Sequence, residues 1–276
     1  MLPNGIRDAA ILHNGVRMPW LGLGVFRSEA GAEVEGAVAS ALELGYRHVD
    51  TATMYGNEAG VGDAVRRSGL AREDVFVTTK VWNSDQGYDA TLRAYERSLE
   101  QLGFQYADLY LVHWPVKGKS KDTWRAMQRL YREGRVRAIG VCNFKVHHLE
   151  EVMADADVVP MVNQVEYHPF LAQHEVRSFC REHSIQIEAW APLVRGKLDH
   201  PVLIELARQH GKTPAQVVLR WDLQHGVVTI PKSVRPERIA ENAGIFDFTL
   251  SADDMQRIDA LNEDRRLGPD PDNISF

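Results

Sequence analysis

Four ionisable side chains stand at or just beyond the ends of apolar, strand-like runs in the first half of the chain. Asp50 and Tyr55 lie in H-V-D-T-A-T-M-Y, Lys80 ends V-F-V-T-T-K, and His113 ends L-Y-L-V-H. A carboxylate, a phenol, an ammonium and an imidazole at neighbouring strand ends suit proton transfer to a carbonyl oxygen. The pattern therefore indicates an enzyme.

Each of these residue types has a distinct task in such chemistry. A free tyrosine has a pKa of about 10, so Tyr55 holds its proton at neutral pH but releases it reluctantly. A lysine ammonium near the phenol would lower that pKa, and a carboxylate near Lys80 would keep the amine charged and in place. An imidazole at His113 can donate a hydrogen bond to a substrate oxygen as negative charge develops.

Short runs rich in Val, Ile and Leu alternate with segments of helical periodicity. We predict eight strands, at residues 21–26, 48–52, 75–80, 109–113, 136–141, 161–166, 185–190 and 227–231. Between them, apolar residues recur on one helical face, as at Val34, Val38 and Ala41. Eight such repeats favour an α/β fold in the form of a (β/α)8 TIM barrel, in which side chains at the C-terminal strand ends meet.

Local signals refine this fold. Asn14-Gly15 between two short apolar runs predicts an N-terminal β-hairpin. Thr213 followed by Pro214 and Gln216 predicts a capped helix start, and Ser251 with Asp254 a weaker one. Because no linker or low-complexity tract interrupts the chain, we expect residues 1–276 to form a single domain, with the turn-rich tail over a barrel end.

Composition excludes several classes of protein. The formal net charge of −6 disfavours nucleic acid or an anionic membrane surface as the main partner. No run approaches the ~18 apolar residues of a membrane span, and the N-terminus lacks an apolar signal region. Cys142 and Cys180 are the only cysteines, which indicates a reducing compartment. We expect a cytoplasmic protein.

Two tempting motifs fail. The stretch G-L-G-V-F-R places Arg27 where a dinucleotide-binding fingerprint needs its third glycine. His147 and His148 are adjacent, so their side chains diverge by about 100° on a helix, and no carboxylate follows at matching spacing. We therefore predict neither a Rossmann fold nor a catalytic metal.

Seven segments in order resemble the aldo-keto reductase family across essentially the whole chain. They are D-T-A-T-M-Y-G-N-E, T-T-K-V-W, L-V-H-W-P, G-V-C-N-F, N-Q-V-E-Y-H-P, A-W-A-P-L and I-P-K-S-V-R-P-E-R-I-A-E-N. The short loops and tail are similar to the branch containing 2,5-diketo-gluconate reductases and protozoan prostaglandin F synthases. The resemblance implies a (β/α)8 barrel that reduces aldehydes and ketones with NADPH. It implies Tyr55 as general acid, tuned by Lys80 and Asp50, with His113 orienting the carbonyl.

The resemblance also implies where the cofactor binds. Asn143 and Gln164 match positions that hold the nicotinamide carboxamide, and Trp190 matches the aromatic on which the ring stacks. Two cations and a hydroxyl match the surroundings of the adenosine 2′-phosphate, which NADH lacks, so we predict NADPH over NADH. The implied cofactor residues are Asn143, Gln164, Trp190, Leu193, Lys232, Ser233, Arg238, Glu241 and Asn242, the last two on the adenine side.

An aromatic rim is implied around the substrate. Phe26, Trp82 and Trp114, together with His113, match loop positions that line the substrate mouth in relatives. Such a rim suits aldehydes, dicarbonyls such as methylglyoxal, and activated ketones, including 2,5-diketo-gluconate-like sugars and prostaglandin-type ketones. We expect no partner beyond a small-molecule carbonyl substrate, and a monomer.

One position departs from the family pattern. Cys142 stands where relatives generally have serine, and a thiol is a poorer hydrogen-bond donor than a hydroxyl. We expect either a weakened contact to the nicotinamide amide or a site sensitive to thiol reagents, unless Cys142 is simply a small buried residue for which either atom serves.

Two other functions stay open from the sequence. The chain could be a catalytically silent NADPH-binding module with the same fold. Alternatively, Lys80 at a strand end could form a Schiff base in a lyase. That second function would leave Tyr55, Trp190 and the basic segment from Lys232 to Arg238 without a task.

Overall fold

Eight parallel strands preceded by a hairpin form the centre of the computed structural model, which describes residues 2–274. The strands are β1 (Ala9–Ile11), β2 (Arg17–Pro19), β3 (Leu23–Gly24), β4 (His48–Asp50), β5 (Phe76–Val81), β6 (Ala107–Val112), β7 (Val136–Cys142), β8 (Val162–Glu166), β9 (Gln186–Trp190) and β10 (Val228–Thr229). From β3 to β10 each strand pairs in parallel with the next one along the chain. All eight predicted barrel strands are present, although β3 and β10 are shorter than expected.

The two ends of this sheet meet. Parallel bridges join Leu21 to Thr229 and Gly24 to Lys232, so the sheet closes into a (β/α)8 barrel. Gly24 permits this closure because an added Cβ would lie 2.8 Å from the carbonyl oxygen of Ile230. The predicted barrel is confirmed.

Helices fill the connections between the barrel strands and follow the last strand. They are α1 (Ala32–Glu43), α2 (Glu58–Arg67), α3 (Tyr88–Leu102), α4 (Ser120–Arg132), α5 (Val146–Met153), α6 (His174–Glu182), α7 (Pro201–His210), α8 (Pro214–Gln224), α9 (Pro236–Ala243) and α10 (Ala252–Asp259). Helices α8 and α10 begin with the predicted capping boxes at Thr213 and Ser251. Among residues 2–274, no helix has both the length and the hydrophobicity to cross a membrane.

The antiparallel hairpin β1–β2 pairs Ala10 with Met18, and Gly15 adopts a φ of 86° in the turn. A positive φ is accessible to glycine without steric cost, which explains its place there. The predicted N-terminal hairpin is confirmed.

The C-terminal segment after α10 lies over the end of the barrel where the strands finish. Glu166, the last residue of β8, accepts hydrogen bonds from the backbone N–H groups of Leu267 (2.6 Å) and Gly268 (3.0 Å). Arg195 donates to the carbonyl oxygen of Leu267 at 3.0 Å. The expected position of the tail agrees with these contacts, while Ser275 and Phe276 lie outside the described residues.

A cluster of histidine and aspartate side chains joins this tail to α5. The Nε2 atoms of His147 and His148 lie 2.9 and 3.3 Å from Oδ1 of Asp272. The expectation that no carboxylate accompanies these histidines was therefore wrong, because folding brings in Asp272 from far along the chain. The Lys145 ammonium lies 2.6 Å from Oδ2 of Asp272, and Nδ1 of His148 accepts from the Lys145 backbone N–H. Lys145 thus occupies one oxygen of Asp272 and one ring nitrogen of His148, while Nε2 of both histidines lies near the other Asp272 oxygen.

Candidate active site

The buried pair Lys80 and Asp50 lies beneath Tyr55. Asp50 ends β4 and Lys80 lies near the end of the neighbouring strand β5, so parallel pairing brings the two side chains together. Nζ of Lys80 lies 2.6 Å from Oδ1 of Asp50 and 2.9 Å from the carbonyl oxygen of Thr51. A short 3-10 turn, Thr53–Tyr55, brings the Tyr55 hydroxyl to 3.4 Å from the same ammonium. The sequence prediction of this three-residue contact agrees with the geometry.

Burial sets the protonation states of these groups. Desolvation alone would lower the pKa of Lys80, but the charges of Asp50 and Tyr55 raise it above its ordinary value, so the amine stays protonated. Desolvation raises the pKa of Tyr55, and the Lys80 ammonium opposes that rise without cancelling it. Burial thus outweighs the lowering of the Tyr55 pKa that we expected from Lys80. In the protein without cofactor or substrate, the Tyr55 phenol is neutral.

His113 follows β6 and meets Tyr55 edge to face. The two ring centroids lie 5.8 Å apart, and the Trp82 ring lies 5.1 Å from His113 on another side. Desolvation and the nearby Lys80 ammonium hold the pKa of His113 well below its usual range. His113 is therefore a neutral imidazole, which carries one N–H donor.

A single cavity of about 970 Å³ gathers nearly all the predicted site residues. Those lining it are Phe26, Asp50, Tyr55, Trp82, His113, Trp114, Asn143, Gln164, Trp190, Leu193, Lys232, Ser233, Arg238, Glu241 and Asn242. Lys80 is the exception, since it lies fully buried behind Tyr55 and Asp50. A volume of this size is at the upper end of the range for small-molecule and cofactor sites.

The two predicted amide side chains are held in place by hydrogen bonds. Asn143, which has a φ of 65°, donates to the carbonyl oxygen of His113 at 3.0 Å and accepts from the Trp190 indole N–H at 2.8 Å. Nε2 of Gln164 donates to Asp50 at 2.8 Å and to Glu188 at 2.7 Å. These bonds fix the orientation of both amides and of the Trp190 ring.

Cys142 lies between these amides and lines the cavity. Its Sγ is 3.1 Å from Nδ2 of Asn143 and 3.6 Å from Oε1 of Gln164. Burial raises the pKa of the Cys142 thiol, so it is neutral rather than a reactive thiolate.

The far end of the cavity is basic. Lys232 and Arg238 are exposed cations beside the buried Ser233, and neither cation forms an ion pair with another described residue. Glu241 accepts a hydrogen bond from the Thr213 hydroxyl at 2.6 Å, which ties α9 to the start of α8.

Further loop and tail residues complete the cavity. The prediction did not name these lining residues; Met54 lies within D-T-A-T-M-Y-G-N-E and Arg27 ends G-L-G-V-F-R, whereas neither periodicity nor a motif marks the others. The lining residues that the prediction did not name include Arg27, Met54, Arg195, Leu198, Asp199, Gly268 and Pro269. An added Cβ on Gly268 would lie 2.6 Å from the Trp190 ring, so the tail packs directly against that aromatic.

Comparison with known proteins gives a consistent result. Residues 21–263 match the Aldo/keto reductase family. The chain is 58% identical to the glyoxal reductase of Bacillus subtilis (strain 168) over 276 residues, covering 100% of both chains. It is 58% identical over 271 residues to the 9,11-endoperoxide prostaglandin H2 reductase of Trypanosoma cruzi (strain CL Brener), covering 97% of this chain and 96% of that one.

A solved structure agrees with these sequence relatives. A mutant of Gox0644 in complex with NADPH superimposes with a TM-score of 0.92 at 45% identity, covering 98% of this chain and 99% of that one. The family predicted from the motifs is confirmed: this chain belongs to the aldo/keto reductase family.

Proposed function

We propose that this protein is an NADPH-dependent reductase of aldehydes, dicarbonyls and activated ketones. The observation that carries the proposal is the contact of Tyr55 with the Lys80–Asp50 pair at the wall of a cavity that also holds two fixed amides and a basic end. Bound NADPH would supply a hydride to the carbonyl carbon, while the residues of this chain deliver the proton.

The cavity fits such a cofactor. The amide nitrogens of Asn143 and Gln164 are already bonded within the protein, so these side chains offer their oxygens to a carboxamide N–H. The Trp190 ring lies beside them as a stacking surface. At the other end, Lys232, Ser233 and Arg238 form a site for a dianionic phosphate that NADH does not carry. Leu193, Glu241 and Asn242 would border the remainder of the cofactor.

Tyr55 is the proton donor in this proposal. Its neutral hydroxyl can transfer a proton to a carbonyl oxygen that gains charge, and the ammonium of Lys80 at 3.4 Å stabilises the phenolate that remains. Asp50 keeps Lys80 charged in a buried place where an unpaired ammonium would be strongly disfavoured. The net rise in the Tyr55 pKa ensures that the proton is present before the reaction.

His113 has a separate task. Its neutral ring lies beside Tyr55 and can donate one hydrogen bond to the same substrate oxygen, without competing for the proton. The aromatic side chains of Phe26, Trp82 and Trp114 would surround the rest of the substrate with apolar surface. The similarity to a glyoxal reductase supports small dicarbonyls as substrates.

The geometry weighs against the two alternatives. A Schiff base needs a neutral amine open to substrate, whereas Lys80 is charged, buried and outside the cavity wall. A silent binding module would have no need for four groups in these positions.

We further propose a monomeric, cytoplasmic enzyme whose residues 1–276 form one domain. Described residues of one chain bring the proposed catalytic, amide and phosphate-binding side chains to one cavity, which supports an active site within a single chain. Cys142 and Cys180 are buried free thiols, which fits a reducing compartment.

A carbonyl panel tests the proposed function. Purified protein is mixed with NADPH and either glyoxal, methylglyoxal, an aromatic aldehyde or a simple ketone, and absorbance of NADPH is followed. Turnover of the dicarbonyls and aldehydes supports a reductase, with NADH as the matched comparison. NADPH binding without turnover on any carbonyl would instead favour the silent module, and borohydride trapping of a substrate on Lys80 would favour the lyase.

A further inference from the structure

Glu188 is a fully buried acid in the barrel that none of the steps above uses. It lies on β9, and its Oε2 accepts a hydrogen bond from Nε2 of Gln164 at 2.7 Å. The same nitrogen donates to Oδ2 of Asp50 at 2.8 Å. One amide group therefore bridges the acid that pairs with Lys80 and a second acid across the barrel.

This bridge determines how the Gln164 amide is oriented. An amide nitrogen carries two N–H groups, and here both are engaged by carboxyl oxygens. An amide oxygen in the same place would oppose the Asp50 carboxylate oxygen at 2.8 Å, which is repulsive. The nitrogen is thus held inward, and Oε1 of Gln164 is left with the Cys142 thiol as a weak donor at 3.6 Å among the described residues.

The charge balance around Glu188 is consistent with a neutral acid. The groups that face it are His48 and Asp50 on β4, Lys80 on β5 and Cys142 on β7. Lys80 is the only cation among them, and Asp50 already matches it. Desolvation, with the Asp50 charge, raises the pKa of Glu188 to about 8. His48 is neutral as well, because burial lowers its pKa to about 3.

We propose that Glu188 is a positioning residue for cofactor recognition. Together with Asp50 it accepts hydrogen bonds from both N–H groups of Gln164, so that Oε1 of Gln164 is presented to the cavity as a fixed hydrogen-bond acceptor. The inference rests on the proposed function, because the group that Oε1 would accept from is the amide N–H of a nicotinamide carboxamide. Without Glu188, a single bond to Asp50 holds the Gln164 amide and it can pivot.

The test compares two oxidised cofactors that differ at one group. In the 3-acetylpyridine analogue of NADP+, a methyl group replaces the carboxamide nitrogen, so it has no N–H to give. Dissociation constants for NADP+ and for the analogue are measured by quenching of tryptophan fluorescence at pH 6.5. The ratio of the two constants reports on the acceptor at Gln164 and needs no turnover.

We expect native protein to bind NADP+ about tenfold more tightly than the analogue, since a buried acceptor without its donor costs roughly 1–3 kcal/mol. In Glu188→Leu the ratio should fall at least threefold. In Glu188→Gln it should return to the native value, because the new amide oxygen can accept from Gln164 in place of Glu188. Asp222→Ala serves as a control, since it removes another buried carboxyl group that bonds to Thr229 rather than to Gln164.

The outcomes separate the two proposals. No binding of NADP+ by native protein would overturn the proposed function itself. Binding with an unchanged ratio in Glu188→Leu, or the same loss in Asp222→Ala, would overturn the positioning role alone. If Glu188→Leu does not fold by circular dichroism, Glu188→Ala and Glu188→Asp take its place. Glu188→Ala removes the carboxyl group that contacts Gln164, and Glu188→Asp shortens the side chain that carries it. If both variants kept the native ratio of dissociation constants, the positioning role of Glu188 would equally be overturned.

Discussion

The Tyr55 hydroxyl lies 3.4 Å from the Lys80 ammonium, on the cavity side of a buried ion pair with Asp50. In the proposed reaction this positive charge lies where a phenolate would form. Burial raises the pKa of Tyr55 and the ammonium opposes the rise, so the proton is retained at rest, and Lys80 would stabilise its loss during the proposed transfer.

Replacing Tyr55 by phenylalanine should abolish most carbonyl reduction while leaving NADPH binding within about twofold. The aromatic ring, and with it the contacts to Phe26 and His113, stays in place. Loss of a general acid lowers kcat by about 10²–10⁴-fold. Steady-state rates on glyoxal and fluorescence quenching by NADPH measure the two quantities. Near-native turnover in Tyr55→Phe would refute the assignment of the acid.

Arg238→Ala should reduce kcat/KM for NADPH about tenfold and leave the value for NADH unchanged. The reason is that one charge-assisted contact to the 2′-phosphate is lost, and NADH has no such phosphate. Arg208→Ala, which removes an exposed arginine of α7 outside the cavity, is the matched control. Equal efficiency with the two cofactors in native protein, or no effect of Arg238→Ala, would contradict the phosphate site.

Cys142→Ser should tighten NADPH binding by about threefold. A serine hydroxyl is a stronger donor than a thiol, and it would stand beside Asn143 and Gln164. Titration of both proteins with NADPH measures the change. An identical affinity would mean that position 142 only needs a small buried side chain. Because burial raises the pKa of Cys142, we also expect native activity to survive iodoacetamide at neutral pH.

Glu188→Gln should change how stability depends on pH. The pKa of an unfolded glutamate is about 4.3, whereas burial, together with the Asp50 charge, raises the pKa of Glu188 to about 8 in the folded protein. Across this window the folded state binds one more proton than the unfolded state, so native stability falls as pH rises. The free energy of unfolding of Glu188→Gln, relative to that of native protein, should increase by up to about 1.4 kcal/mol per pH unit within this window. Above the window the difference should become constant.

Urea unfolding at pH 5, 6, 7 and 8 measures this difference. Glu175→Gln, at an exposed position of α6, is the control. Its curve of unfolding free energy against pH should be parallel to that of native protein. Parallel curves for native protein and Glu188→Gln would mean that Glu188 is already ionised in the folded state.

Much of the fold and of the candidate site was accessible from the sequence. The runs that end at Lys80 and His113 are apolar, with an ionisable residue at or just beyond the end. Such runs predict barrel strands, because parallel strands that are buried on both faces exclude charge except at their ends. Loop residues such as Arg195 and Gly268 gave no signal, since their positions depend on contacts formed after folding.

By itself the sequence determined the barrel, the family and the residue types available for proton transfer, because periodicity and motif order are local properties of the chain. Tertiary structure alone decided the protonation states of the buried ionisable side chains and their hydrogen-bond partners. Desolvation, which no local pattern records, outweighs the Lys80 ammonium at Tyr55. Only the closed barrel brings Glu188 and Asp50, 138 residues apart in the numbering (188 − 50), onto one amide nitrogen of Gln164.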